Sequence, residues 1–330
     1  MSTPESFGRG DDLIEEITPS DVRDEEIVGR GPWQLFWARF REDKVALCSL
    51  FVIASIILTA IFAPAITKAI AHPPNAQYPD ALDPQFGMPT GPSWNFLFGV
   101  DKVGHDIFSR VLFGARVSLE VALIATFIAV VLGTAMGMIA GFYRGATDTL
   151  ISRLIDVMLA FPVLLLAMGI ASACAIGDGC LNGLIKPGVP TVVAVIAIIN
   201  WTYIARIIRG QVLSLREKEF VESARASGAG DVSILFREIL PNLVAPIVVY
   251  TTLIIPQNIL LEAALSYLGV GLGIEQASWG QMLANATPIF STAWWYFVFP
   301  GAALLLTVLA FNLLGDGIRD ALDPRTVDVT

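Results

Sequence analysis

Charge is what this sequence has least of. Asp, Glu, Lys and Arg make up 15% of its 330 residues, where ordinary globular chains carry about 25%. A soluble enzyme surface is therefore excluded. Histidine occurs twice, at His72 and His105, and the two stand apart with no HExxH or CxxC pattern around them. Neither a metal site nor a Cys/His nucleophile has support. No glycine-rich phosphate loop ending in Gly-Lys-Ser/Thr occurs, so the chain cradles no nucleotide by itself. No serine stands in a G-x-S-x-G elbow, and no catalytic residue is assigned. Basic residues are scattered without interleaved aromatics, which argues against a nucleic-acid partner.

What the chain has is apolar length. Hydrophobic residues account for 55% of it, and mean hydropathy is +0.66. The formal net charge of -9 is concentrated at the front: Asp11, Asp12, Glu15, Glu16, Asp21, Asp24, Glu25 and Glu26 are opposed by Arg23 alone. Such a run repels itself and has little apolar surface to bury, so residues 1–30 read as a disordered acidic cytoplasmic tail. Val45 to Ile66 then holds no charge over 22 residues, about 33 Å of helix, enough to cross a bilayer. Five further runs lie near 117–142, 154–176, 190–208, 243–265 and 294–314. The expectation is an all-α membrane protein with six transmembrane helices. An N-terminal segment, 31–116, carries the first span and an extracytoplasmic loop. A core, 117–325, carries five spans and a cytoplasmic loop at 210–242, and 326–330 is a tail.

Lys and Arg in the short loops set the orientation. Arg144 and Arg153 fall between spans two and three, and Arg206, Arg209, Arg216, Lys218, Arg225 and Arg237 between four and five. On the other side 177–189 holds only Lys186 and 266–293 none, while the segment between spans one and two is mixed, with Lys68, Lys102, Arg110 and Arg116; the balance places both termini in the cytoplasm. Span two carries Gly133, Gly137 and Gly141, a doubled small-residue motif that lets two helix backbones approach closely. In a six-span bundle that face packs against a neighbour in the same chain. Pro162 and Pro256 fall inside spans three and five, where each should kink its helix.

Ionisable and polar groups within spans are expensive and mark a pathway or a partner. Glu262 and Asn258 in span five are candidates for lining such a pathway, although Glu262 could instead reach the interface and cap a neighbouring helix or loop near the span end. Asp156 follows Arg153 at i,i+3 and suits an anchoring pair. Cys174 and Cys180 bracket a glycine-bearing turn on the outer side, a compartment that permits a disulfide. Two free thiols fit the spacing equally well. Cys48, in span one, reads as plain core.

One polar stretch interrupts the apolar chain: EFVESARASGAGDVSILFREILPN, Glu219 to Asn242. A short helix over Lys218–Ser227 would carry Phe220 and Ala224 on one side and Glu222 and Arg225 on another. A second would place Val232, Leu235, Phe236 and Ile239 on one face, with Asp231 as its N-cap and Pro241 at its end. Gly228 and Gly230 supply the bend. An amphipathic helix lying in the headgroups explains the second helix but not the first, whose small, charged residues suit a protein groove.

Glu222, Ser223, Ala224, Gly228, Leu240 and Pro241 resemble the EAA loop of bacterial ABC-importer permeases, with Ser223 where the family usually has Ala. FGVDKVGHDIFSRVLFGARVSL (98–119), LSYLGVGLGIEQASWGQML (265–283) and NLLGDGIRDALDPR (312–325) are similar to blocks of the dipeptide, oligopeptide and nickel permeases, C-type subunit. Val100 and His105 stand where Thr and Arg are common, and Glu238 where His is common. The resemblance covers residues 31 to 325. It implies a type I ABC-importer half-channel in the bacterial inner membrane, importing di- or oligopeptides, nickel or another small solute. It further implies a second homologous permease, two cytoplasmic ATP-binding subunits, an extracytoplasmic solute-binding protein and surrounding lipid. ATP and Mg would bind those ATPases, with no cofactor in this chain, and the short helix would couple the ATPase to the spans. A self-sufficient secondary transporter or channel is the alternative of another class.

Overall fold

The computed structural model describes residues 32–322 apart from 86, 176, 178, 181, 271 and 273–275. The acidic stretch 1–30 and the tail 326–330 lie outside the described residues. Those described form helices, with three isolated bridges and no named strand among them. A short helix α1 (Pro32–Glu42) precedes α2 (Lys44–Ile70), α3 (Ile107–Tyr143), α4 (Gly145–Ala160), α5 (Val163–Cys174), α6 (Val189–Leu215) and α7 (Glu219–Ala226). After α7 come α8 (Asp231–Ser233), a π-helical segment Ile234–Ile239, α9 (Leu240–Tyr267), α10 (Trp279–Ala286) and α11 (Trp294–Leu322).

Five helices are long and apolar enough to cross a membrane: α2, α3, α6, α11 and the continuous run Asp231–Tyr267. The third expected span is instead a bent pair. α4 and α5 meet at 93°, broken at Phe161 and Pro162. A kink was expected there, but the proline does more. It lacks an N–H to continue the ladder, and it drives the preceding Phe161 to φ -86°, ψ 141°, outside the helical region. Pro256, by contrast, lies within α9, which runs on past it.

The longest packed seam joins α3 to α6, and the three glycines make it. A Cβ on Gly133 would lie 2.7 Å from the Trp201 carbonyl, on Gly137 2.7 Å from that of Ala205, and on Gly141 2.9 Å from that of Arg209. The small-residue face therefore packs within the chain. A buried polar chain ties three spans across this seam. Asn200 of α6 donates to the Asn258 carboxamide oxygen at 2.5 Å, and Asn258 of α9 donates to Thr126 Oγ1 of α3 at 2.7 Å. With no water in the hydrocarbon core, such groups need one another.

Two ends follow from the connections. At one, Arg144 pairs with Glu217 at 2.8 Å, Arg216 donates to the Phe142 carbonyl, and Trp33, Pro241 and Leu322 line one groove. The first and last described helices thus meet beside the start of α9. At the other end the α3 N-terminus is closed by Asp106, which accepts from the Phe108 and His72 amides at 2.9 and 3.1 Å. Asp101 does the same for the His105 amide and ring, both at 2.9 Å. The 98–119 block is thus a capping device for α3.

Candidate functional site

α7 is eight residues long and stands between α6 and the run beginning at Asp231. Val221 is fully buried, and Phe220 and Ala224 pack with it against Ile208, Val212, Ile234 and Leu243. Glu222, Ser223 and Arg225 point away and are exposed. Its C-terminus is a left-handed cap. The Gly228 amide reaches the Arg225 carbonyl and the Ala229 amide reaches the Ala224 carbonyl, each at 3.0 Å, with Gly228 at φ +81°. Those two bonds with that residue in the left-handed region form a Schellman motif, in which glycine carries no Cβ penalty. The bend after α7 is as expected.

The second helix is not. Gly230, not Asp231, is the N-cap, and the Asp231 side chain makes no cap bond. Nor does Pro241 end anything, because the helix passes through it into α9. The π segment makes this possible. The Leu240 amide bonds back to the Leu235 carbonyl, five residues away, which widens the turn where the proline ring would strike the preceding carbonyl. Asn242 Nδ2 donates to the Glu238 carbonyl at 2.6 Å, a side-chain bond that spans the proline. The extra residue per turn also rotates the buried face. Ile234, Leu235 and Ile239 are inside, whereas Val232 and Phe236, expected on the apolar face, are 64% and 61% exposed. Leu240 is half-buried and Pro241 exposed. What stands on the surface is one short helix on a glycine hinge, followed by the mouth of a span.

Residues 133–328 match the family described as binding-protein-dependent transport system inner membrane component. The chain belongs to that family. Residues 31–86 also match the N-terminal TM domain of oligopeptide transport permease C. Among curated relatives, the dipeptide transport system permease protein DppC of Alkalihalophilus pseudofirmus is 40% identical over 305 residues, covering 92% of this chain and 93% of its own length. The glutathione transport system permease protein GsiD of Escherichia coli is 43% identical over 296 residues, 90% and 91% of the two chains. In fold, the chain resembles an inward-facing conformation of the MetNI methionine ABC transporter, at TM-score 0.54 and 18% identity over 65% of this chain and 96% of that one. The protein is a multi-pass inner-membrane permease subunit of an ABC importer, a transport subunit and not an enzyme. Such a permease works with ATP-binding subunits and a solute-binding protein.

The other sequence candidates sit deep in the permease. Asn258 and Glu262 are both 0% exposed, so neither faces a path in this conformation. Asn258 is the centre of the three-span polar chain. Glu262 Oε1 accepts from Ser266 at 2.7 Å, with Ser118 of α3 and Ser278, the N-cap of α10, as its other polar neighbours. Glu262 does lie against the start of a neighbouring helix, but fully buried and not at a membrane surface. α10 packs so closely that a Cβ on Gly280 would meet the Ala263 carbonyl at 2.1 Å, and this lid of helix covers the carboxyl.

Two ion pairs were not legible in the sequence. Asp156 meets Arg206 of α6 at 2.6 Å, and not Arg153 one turn before it. Asp148 receives Arg209 in a fork, at 2.5 and 2.8 Å. Both pin α4 to α6, a task created by the break at Pro162. Fifty or more residues separate the partners, so no local pattern marks them. Asn200 left a weak sign, as an amide inside an apolar run; Thr126 left none.

Cys174 and Cys180 are joined in the structure, with Cα atoms 4.7 Å apart, across the turn that follows α5. Cys48, expected to be core, is instead exposed on α2 and free, so denatured but unreduced permease is expected to take up one alkyl group, there. After reduction it should take up three, one for each cysteine in the sequence. Intact mass measures both, and three groups without reductant would exclude the bridge.

Proposed function

We propose that the permease forms half of a translocation path for short peptides or peptide-like solutes, and that α7 is its coupling helix. The observation that carries the second point is the division of α7 into two faces. Val221, Phe220 and Ala224 are sealed into the bundle, so force applied to the helix passes directly into α6 and α9. Glu222 and Ser223 remain outside with no side-chain bond of Glu222 to any described residue, free for a partner. Glu222, Ser223, Ala224, Gly228, Leu240 and Pro241 form the coupling loop, seated in a groove of a cytoplasmic ATP-binding subunit. Two such subunits bind ATP and Mg, and a second homologous permease completes the channel.

The excess of Lys and Arg in the loops beside α7 supports a cytoplasmic position for that end and for both termini. An extracytoplasmic binding protein would deliver solute at the opposite end. The dipeptide and glutathione permeases among the relatives support a peptide-like cargo; nickel or another small solute would be the variant on the same machinery.

Glu222→Arg tests the coupling role. The side chain is exposed and holds nothing together, so the permease should reach the membrane in normal amounts. ATP-driven uptake by the reconstituted complex is expected to fall about tenfold or more, since a misplaced charge facing a partner costs 1.4 kcal/mol or more. Uptake at the wild-type rate would remove α7 from the coupling path.

A further inference from the structure

The burial of Asn258 and Glu262 leaves open which residues meet the solute, and α9 itself supplies a face. Tyr250, Leu253, Gln257, Leu260 and Tyr267 recur at steps of three, four, three and seven residues, one stripe along the helix. Tyr250 and Leu253 are half-buried, and Gln257, Leu260 and Tyr267 are exposed. At the α7 end this stripe opens into a cavity of about 470 Å³ that Tyr250 and Leu253 line with Gln211 and Arg319. At the other end the Tyr267 hydroxyl lies 3.3 Å from Thr287 Oγ1. The stripe therefore runs about 26 Å along α9, with a polar group near each end and one between them.

Gln257 is that middle group, about 5 Å along the helix axis from the centre of the span read from the sequence. A primary amide left unpaired in hydrocarbon costs about 4–8 kcal/mol. Ser55 and Asn312 avoid that cost by bonding their own backbone, while exposed Glu120 and Tyr203, like Gln257, make no side-chain bond among the described residues. Ser55 Oγ donates to the Phe51 carbonyl at 2.8 Å, and Asn312 Nδ2 to the Val308 carbonyl at 2.9 Å. Gln257 makes no such bond among the described residues, and Pro256 beside it adds no donor.

We propose that this stripe is the surface the permease presents to the aqueous path, with the Gln257 carboxamide as its solute-facing hydrogen-bonding group at mid-membrane. The carboxamide offers a donor and an acceptor together, the pair that a peptide bond requires; that solute class rests on the function proposed above. The stripe carries no formal charge between Tyr250 and Tyr267, so it does not select by charge.

The test uses single cysteines at Gln257, Leu260 and Leu305 in a Cys48→Ala background that keeps the Cys174–Cys180 pair. Leu305 is 66% exposed on α11, outside the stripe, and serves as the control. The assembled importer, permease with its partner permease and ATPases in lipid nanodiscs, is treated with a cationic, water-soluble methanethiosulfonate. Because only the thiolate reacts, and hydrocarbon suppresses it, Gln257→Cys and Leu260→Cys should be modified about tenfold or more faster than Leu305→Cys. A Gln257→Cys thiol silent in the assembly but reactive in the permease alone would mean that the second permease packs directly on the stripe, and would overturn the proposal. So would a thiol reached only by an apolar maleimide, which would place it in lipid. No transported solute enters the measurement, so either failure leaves the peptide assignment untouched.

Discussion

Gly228→Val is expected to abolish ATP-driven uptake while leaving the permease inserted and folded. Gly228 sits at φ +81° with nothing within 4 Å of a Cβ built on it. The obstacle is thus purely the backbone: an L-residue in the left-handed region costs about 1–2 kcal/mol, and a β-branched one is a still poorer fit. The loop has a cheaper course than bearing that strain, which is to leave the left-handed region. Doing so breaks the two cap bonds from Gly228 and Ala229 and swings α7 off the hydrophobic seat under Val221. The spans do not depend on this turn, so insertion persists. A graded series separates conformation from bulk. Gly228→Asn, whose side chain tolerates the left-handed region, should keep most uptake, Gly228→Ala less, and Gly228→Val almost none. Equal uptake by the asparagine and valine variants would show that the cap does not govern coupling.

Gly137→Leu is expected to prevent the permease from folding at all. Its Cβ would lie 2.7 Å from the Ala205 carbonyl, 2.9 Å from Ile208 Cβ and 3.1 Å from the Arg209 amide. Two of those three atoms are backbone in the middle of α6 and cannot swing aside. The helices must separate by the width of a side chain, and the hydrogen bonds among Asn200, Asn258 and Thr126 part with them. Overpacking alone costs about 1–3 kcal/mol, and unpaired amides in a dry seam add to it. Gly137→Ala, with the Cβ only, should melt measurably lower in detergent, and Gly137→Leu should yield little folded permease. Ala135→Leu, two residues away on the exposed side of α3, is the control and should behave as wild type. Normal yield and melting of the leucine variant would mean that the α3–α6 seam does not hold the bundle.

Much of this permease is local in origin. Length and apolarity make spans, and five of the six expected runs are single continuous helices, which run on past Pro64, Pro246, Pro256 and Pro300. The small-residue face of α3 was readable because glycines at every fourth position line one side of any helix. The α7 cap was readable because Gly228 is where a helix of that length must turn. What the sequence could not rank was competition between local rules and packing. Pro241 ends a helix by every local rule, yet a π turn and an Asn242 bond carry the chain past it. Val232 and Phe236 belong on the apolar face at 3.6 residues per turn, and the same π turn rotates them out.

The sequence by itself determined the class of protein, the places of its long apolar helices and the position of the polar loop, because each depends only on neighbouring residues and the bilayer's thickness. Tertiary structure decided which polar groups face what. Asn258 and Glu262 are marked alike by an apolar setting, but their neighbours Asn200, Thr126, Ser118 and Ser278 come from distant helices. Those helices turn both inward and leave Gln257, one residue before Asn258, facing out. A helix places successive side chains about 100° apart, and only the packing of the other spans determines which of them is covered.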